Sequence, residues 1–166
     1  MKAKLALVAA LVALASVCSP PVLAWADLAV PQADTPCPSA LADAMTSLPD
    51  AKVPLVCAAQ PSGGYEWKTV TTPYPVSDRW LSYGPELKLH GEGLRDGRIK
   101  SGDWVATPQD ADAVCRAEQI AVVDAGVVGP PQIDAGAKGK PLVFRIVPQL
   151  FSIQMTGYCL WTKVAG

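Results

Sequence analysis

His90 is the only histidine in the chain, so any imidazole chemistry must be carried by this residue. An imidazole is the usual general base for a serine nucleophile, which must lie within hydrogen-bond reach of it. The sequence contains neither a G-x-S-x-G turn nor an S-x-x-K pair, two spacings that mark such serines. We therefore interpret His90, which precedes Gly91 at the end of a strand-like segment, as a surface residue with a role in binding. A catalytic base is the alternative.

Carboxylates are the second source of acid–base chemistry. The candidates are Glu86, Glu92, Asp103, Asp110, Asp112 and Glu118. Two carboxylates that face each other across a cleft can hydrolyse a glycosidic bond. Spacing along the sequence does not determine whether any two of these carboxylates face each other, and solvated loop charges are the more common interpretation. With His90 they define the alternative function, a small envelope hydrolase acting on a glycan or an ester.

Cations are concentrated between residues 88 and 100. The cluster consists of Lys88, His90, Arg95, Arg98 and Lys100, and only Glu92 and Asp96 oppose it. Local positive charge of this kind attracts anionic polymers and lipid headgroups. The segment predicts either a solvated hairpin or a surface for an anionic component of the cell envelope.

Aromatic residues are concentrated just upstream, between residues 65 and 83. They are Tyr65, Trp67, Tyr74, Trp80 and Tyr83. Exposed rings stack on sugar faces, whereas buried rings fill a core, and the strand-like alternation of this segment suits both roles. The predicted binding residues from the two segments are Tyr65, Trp67, Trp80, Tyr83, Lys88, His90, Arg95 and Arg98.

Four cysteines follow the N-terminal region: Cys37, Cys57, Cys115 and Cys159. An even number predicts two disulfides, with three possible connectivities. We favour Cys37–Cys57, which encloses a short N-terminal module, and Cys115–Cys159, which ties two long strand candidates together. The chain has no C-x-x-C spacing and one histidine, so the cysteines predict structural cross-links, with no metal site and no cofactor.

Residues 1–26 have the pattern of a secretory signal peptide. Lys2 and Lys4 precede the apolar run Leu5–Val17, and an Ala-Trp-Ala sequence ends the segment. Export to an oxidising compartment would allow the cysteines to pair. Lipidation of Cys18 is disfavoured, because Val17 stands where lipoprotein processing requires a small residue. No later apolar stretch approaches the length of a membrane-spanning helix.

The charge balance argues against nucleic acid as a partner. Removal of Lys2 and Lys4 reduces the 14 basic residues to 12, against 15 acidic ones. Nucleic-acid binding requires a strongly basic face. The chain has no Asn beside abundant Ala, Val, Pro and Gly, a composition typical of bacteria with GC-rich genomes.

The elements that position these residues are short strands separated by Gly- and Pro-rich turns. We predict a flexible leader over 27–36 and a single disulfide-bonded domain over 37–166. A short helix is predicted over 38–45, with Ser39 as its cap, and the stretch 124–141 is predicted as a loop. Strands are predicted in 65–72, 80–83, 86–90, 103–107, 114–123, 142–147 and 151–164, with a helix over 110–119 as a competing interpretation. The pattern favours an antiparallel β-sandwich or barrel.

The last 65 residues or so resemble a group of small exported proteins of mycobacteria and related actinobacteria. The resemblance is carried by residues 102–108, 115–119, 139–142 and 151–161, including Gly157-Tyr158-Cys159-Leu160-Trp161. It implies a secreted or envelope-associated location and no known reaction. With the missing catalytic spacings, it favours a non-catalytic binding protein. The expected partners are an envelope glycan, an anionic lipid or another secreted protein.

Overall fold

The computed structural model describes residues 30–48, 53–84 and 86–165, and the predicted signal peptide lies outside these ranges. One turn of 3-10 helix, Ser39–Leu41, precedes twelve strands. They are β1 (Met45–Thr46), β2 (Leu55–Ala59), β3 (Tyr65–Thr69), β4 (Arg79–Ser82), β5 (Leu87–His90), β6 (Gly102–Pro108), β7 (Arg116–Asp124), β8 (Val127–Val128), β9 (Gln132–Ala135), β10 (Leu142–Ile146), β11 (Leu150–Thr156) and β12 (Cys159–Lys163). The prediction of a mainly β protein is confirmed.

The strands form two sheets. The seven-stranded sheet has the order β10-β6-β12-β4-β1-β2-β3, and the five-stranded sheet has the order β5-β11-β7-β8, with β9 also paired to β7. Neighbouring strands are antiparallel except β1 and β4, which pair in parallel. In the described ranges neither sheet closes on itself, so the barrel alternative is wrong.

The main core lies between the two sheets. Period-two alternation sends Trp104, Trp161 and Trp80 inward from the seven-stranded sheet, and all three are fully buried. Leu89 and Ile153 of the five-stranded sheet belong to the same core. Each indole N–H has a partner: Trp80 donates to Ser77 O at 3.1 Å, Trp104 to Lys100 O at 3.0 Å and Trp161 to Ser82 Oγ at 2.8 Å. The three largest core residues are thus buried without an unsatisfied donor.

A second apolar cluster covers the opposite face of the seven-stranded sheet. Leu81 and Leu160 alternate with inward-facing tryptophans and therefore point outward, where Leu41 and Trp67 pack with them. The segment 37–44 lies over this face. At the end of the predicted leader, Asp34 donates its backbone N–H to Trp67 O at 2.7 Å, which places this part of the chain along β3.

Both favoured disulfides are confirmed. Cys37 pairs with Cys57 across 20 residues and belongs to the outer cluster, whereas Cys115 pairs with Cys159 across 44 residues within the main core. Cys57, Cys115 and Cys159 are fully buried. In the described residues no helix is long and apolar enough to cross a membrane. Two disulfides are typical of an extracellular or otherwise oxidising environment.

The predicted helix over 38–45 is wrong beyond its first turn. Pro38, which has no side-chain hydrogen-bonding group, occupies the N-cap position, and Asp43 adopts a left-handed conformation with φ of 61°. The backbone then pairs with β2: Asp43 donates to Cys57 O, and Cys57 donates to Ala44 O. The disulfide holds Cys37, and with it the following segment, next to β2. The backbone groups of Asp43 and Ala44 therefore form hydrogen bonds with Cys57 instead of within a helix.

Backbone hydrogen bonds also correct two other sequence interpretations. The competing helix over 110–119 is wrong, because Asp110 Oδ1 accepts the backbone N–H groups of Asp112 and Ala113 in a turn that leads into β7. The stretch 124–141, predicted as a loop, contains β8 and β9. The second strand of a hairpin does not need a long apolar run when its partner is already ordered.

Candidate functional site

The candidate site lies at the end of β5 on the outer face of the five-stranded sheet. Alternation in β5 buries Leu87 and Leu89 and turns Lys88 and His90 outward. The register with β11 agrees, since Ile153 lies opposite Leu89 within the core. The segment after β5 then folds back over the two outward side chains.

A pocket of about 180 Å³ forms where this segment returns. It is lined by Tyr74, Lys88, His90, Asp96 and Arg98, and we call it the basic pocket. The structure therefore brings together three of the eight predicted binding residues, Lys88, His90 and Arg98. Arg95 is exposed on the same turn and is not part of the lining.

The turn that forms the pocket is tightly fixed. Glu92 accepts hydrogen bonds from the backbone N–H of Ser101 at 3.0 Å and from its hydroxyl at 2.6 Å. These bonds hold the pKa of Glu92 below its usual value. At the other end Ile99 is fully buried in the main core. A Cβ atom on Gly97 would lie 2.5 Å from the carbonyl oxygen of Gly91, so only glycine fits at this close approach.

An imidazole–carboxylate pair lies in the wall of the pocket. Nδ1 of His90 is 2.5 Å from Oδ2 of Asp96, and the side chains are 33% and 40% exposed. The hydrogen bond to His90 lowers the pKa of Asp96, so that carboxyl group is ionised and can only accept. Nδ1 therefore carries the shared proton, and Nε2 is the ring nitrogen that remains for a ligand.

The pocket carries net positive charge. Neither Lys88 nor Arg98 forms an ion pair with a carboxylate in the described part of the chain. Asp96 is the single acid in the lining, and its oxygen is already engaged by His90. Two cations without an ion-pair partner outnumber the one carboxylate in the lining, and this balance favours an anionic ligand.

Tyr74 closes the pocket from the loop between β3 and β4. Its ring centroid lies 5.9 Å from the guanidinium carbon of Arg98, and the residue is 49% exposed. Its φ of 57° is in the left-handed region, which is unusual for a bulky side chain. Strained backbone of this type clusters at functional sites, where the surrounding structure maintains it.

An apolar groove of about 390 Å³ adjoins the basic pocket. It is lined by Leu94, Val122, Gly126, Val127, Val128 and Phe151. Phe151 lies at a register shift between β11 and β7, where one extra residue on β11 has no partner. Its ring centroid is 5.8 Å from that of His90, so the two side chains form a common wall.

Sequence reasoning missed the groove entirely. The available signal was the pair of valines on either side of Asp124-Ala125-Gly126, a spacing that suits a β-hairpin with Gly126 in its turn. Gly126 has a φ of 74°, as that turn requires. The bulge that turns Phe151 outward has no comparable signature.

The predicted aromatic binding residues lie elsewhere. Trp67 is 3% exposed in the outer cluster and Trp80 is fully buried in the main core, so neither presents a ring face to solvent. Tyr65 packs against the outer cluster, and Tyr83 makes an edge-to-face contact with Tyr158 at 5.2 Å. None of the four lines the basic pocket.

Each candidate catalytic carboxylate forms a hydrogen bond or an ion pair with a different partner. Glu118 pairs with Arg116 at 2.8 Å, Asp112 with Lys138 at 2.7 Å and Asp103 with Arg145 at 3.6 Å. Glu86 accepts a hydrogen bond from the side-chain amide of Gln154, Asp110 orders its own turn, and Glu92 binds Ser101. No hydrogen bond joins His90 to a serine hydroxyl in the described residues. Those residues also contain no group of three or more metal-ligating side chains.

The comparisons with known proteins add no relative. No protein-family model, no curated protein and no solved structure matches this chain.

Proposed function

We propose that the protein is a non-catalytic binding protein, exported by the signal peptide of residues 1–26 and secreted or held at the cell envelope. Its ligand is an anionic component of the envelope, recognised by the basic pocket. The resemblance to small exported actinobacterial proteins supports the location, and the two disulfides agree with it. The single observation that carries the function is the convergence of Lys88, His90 and Arg98 on one pocket.

The pocket is suited to an anion for a simple physical reason. Charge-assisted hydrogen bonds from Lys88 and Arg98 to an oxyanion are about twice as strong as neutral ones. The Asp96 contact orients the His90 ring, and Nε2, which has a lone pair when Nδ1 holds the proton, can accept a hydrogen bond from a hydroxyl group of the ligand. Arg95, exposed on the turn, would contribute long-range attraction. Trp67 and Trp80 then have structural roles.

The test uses a small anion and its neutral parent. Glycerol phosphate, titrated into the oxidised full chain at low salt, is expected to shift the NMR signals of the His90 ring, whereas glycerol is not. The double variant K88Q/R98Q is expected to weaken binding at least about 10-fold, since one charge-assisted hydrogen bond contributes about 1.5–3 kcal/mol. The matched control is K140Q, which removes an exposed lysine from a loop of the seven-stranded sheet's edge. Equal responses to both titrants, or equal losses in both variants, would contradict the proposal.

The second candidate is a small envelope hydrolase that acts on a glycan or an ester through His90 or carboxylates. One observation favours it: the His90–Asp96 pair has the geometry that orients a general base. In this case His90 would activate water, and hydrolysis of p-nitrophenyl butyrate by the wild-type chain would disappear in H90A. Such a result would replace binding with catalysis as the function of the pocket.

A further inference from the structure

The basic pocket and the apolar groove share one wall. His90 lines the pocket, Phe151 lines the groove, and their ring centroids are 5.8 Å apart. The turn after β5 also serves both, because Leu94 lines the groove while Asp96 and Arg98 line the pocket. A polar cationic site and an apolar site are thus joined by the side chains of one short segment and one bulge.

The groove exposes apolar side chains that soluble proteins usually bury. Val127, Val128 and Phe151 are 51%, 47% and 38% exposed. A contiguous exposed apolar patch on a soluble fold is typical of a binding site, because its transfer out of water is favourable. The bulge at Phe151 and the hairpin turn at Gly126 both serve to build the patch.

Extension of the sheet by another strand is a poor explanation for the groove. β8 lies at the edge of the five-stranded sheet but contains two residues, Val127 and Val128. A short edge strand offers few backbone groups for pairing. The groove's apolar side chains therefore fit a flexible hydrocarbon better than an added strand.

Combining these features, we propose that the ligand is an anionic single-chain lipid, with its headgroup in the basic pocket and its acyl chain along the groove. The inference rests on the proposed function and specifies its ligand class. The anionic oxygens of the headgroup accept hydrogen bonds from Lys88 and Arg98, next to the ring of His90. The chain passes the shared wall at Phe151 and lies against Val127 and Val128.

The experiment separates the headgroup from the chain. Dodecyl phosphate, kept below its critical micelle concentration, and glycerol phosphate are titrated into the oxidised full chain. Dodecyl phosphate is expected to bind about 200-fold more tightly, the effect of burying about four methylene groups. Dodecyl maltoside is expected to bind more weakly than dodecyl phosphate, because its headgroup is neutral.

Variants locate the two parts of the ligand. V127T/V128T keeps the branched shape of the side chains and is expected to remove most of the gain from the chain while leaving glycerol phosphate binding unchanged. The matched control V143T makes the same change at a valine 72% exposed on the edge strand β10 of the other sheet, and is expected to have no effect. K88Q/R98Q is expected to weaken both phosphates.

The outcomes distinguish this inference from the proposed function. If glycerol phosphate binds but dodecyl phosphate binds no more tightly, the lipid inference is overturned and the anion-binding function stands. If neither phosphate binds, both fail. Binding only to vesicles that contain an anionic lipid would replace a single lipid with a membrane surface. Binding by a chain that starts at Asp27 but not by the full chain would identify the N-terminal residues as the occupant of the groove, and would also overturn the inference.

Discussion

The outer faces of the two sheets differ in what covers them. On the seven-stranded sheet, alternation turns Leu81 and Leu160 outward, and the segment 37–44 covers them and is cross-linked by Cys37–Cys57. On the five-stranded sheet, alternation turns Lys88 and His90 outward, and no described segment covers the groove beside them. One face is closed as a second core, and the other combines cations with exposed valines. That difference supports the proposal that the ligand binds on the five-stranded sheet.

Removal of the Cys115–Cys159 disulfide is expected to have the largest effect, because it lies in the core beneath both faces. The variant C115A/C159A should lose about 4 kcal/mol of unfolding free energy, the value expected for a closed loop of this length. Urea denaturation of the oxidised chains measures the loss. A loss below about 1 kcal/mol would show that the two sheets do not depend on this link.

Removal of the Cys37–Cys57 disulfide is expected to cost less and to act on one face. The variant C37A/C57A should lose about 3 kcal/mol because its loop is shorter. Loosening of the cover should raise the access of acrylamide to Trp67, while the response of His90 to glycerol phosphate remains unchanged. Loss of that response in a folded variant would show that the two outer faces are coupled.

Two glycines in the turn after β5 allow a sharper comparison. In G97A the new Cβ meets the backbone of Gly91 and Glu92, so the turn must shift, at a cost of about 1–3 kcal/mol. The shift should also separate Asp96 from His90. In the control G93A the Cβ meets nothing within 4 Å, and a change within about 0.5 kcal/mol is expected. Thermal unfolding and the His90 ring signals report both quantities, and equal effects from the two substitutions would contradict the packing shown for Gly97.

Acid is expected to loosen the basic pocket before it affects the covered face. Hydrogen bonds from Ser101 and His90 lower the pKa values of Glu92 and Asp96 in the folded protein. Lowered values mean that the carboxylates stabilise the turn above their unfolded pKa values, about 4, and that this contribution is lost as pH falls through the folded values. The protection of the turn amides against hydrogen exchange, relative to an unstructured chain at the same pH, should therefore fall below about pH 4, with less change for the amide of Cys57. E92Q should show the lower protection already at pH 7.

Sequence patterns predicted the parts that depend on local alternation and on counting. The even number of cysteines and the segments that each pair encloses predicted both disulfides. The alternation of residues 86–90 placed Lys88 and His90 on the same face of the strand. The site itself needed tertiary information. His90 meets Asp96 only through a turn whose close packing depends on Gly97, and Phe151 reaches the groove only through a bulge.

The aromatic residues illustrate the same limit. The alternating pattern of residues 65–72 is the same whether Trp67 is exposed or buried. Trp67 is buried because segment 37–44 covers it. The predicted helix failed for a related reason: its residues Ala44 and Met45 meet β2, a partner that periodicity along the chain does not reveal.

The most direct measurement is chemical-shift mapping of the isotope-labelled, oxidised chain with dodecyl phosphate. The expected result is a contiguous set of shifts at His90, Val127, Val128 and Phe151. Intermolecular contacts are expected between the methylene groups of the dodecyl chain and the two valines. Leu81 and Leu160, beneath their cover, should remain unchanged. Shifts centred on the seven-stranded sheet, or scattered over exposed valines such as Val143, would contradict the assignment of the binding face.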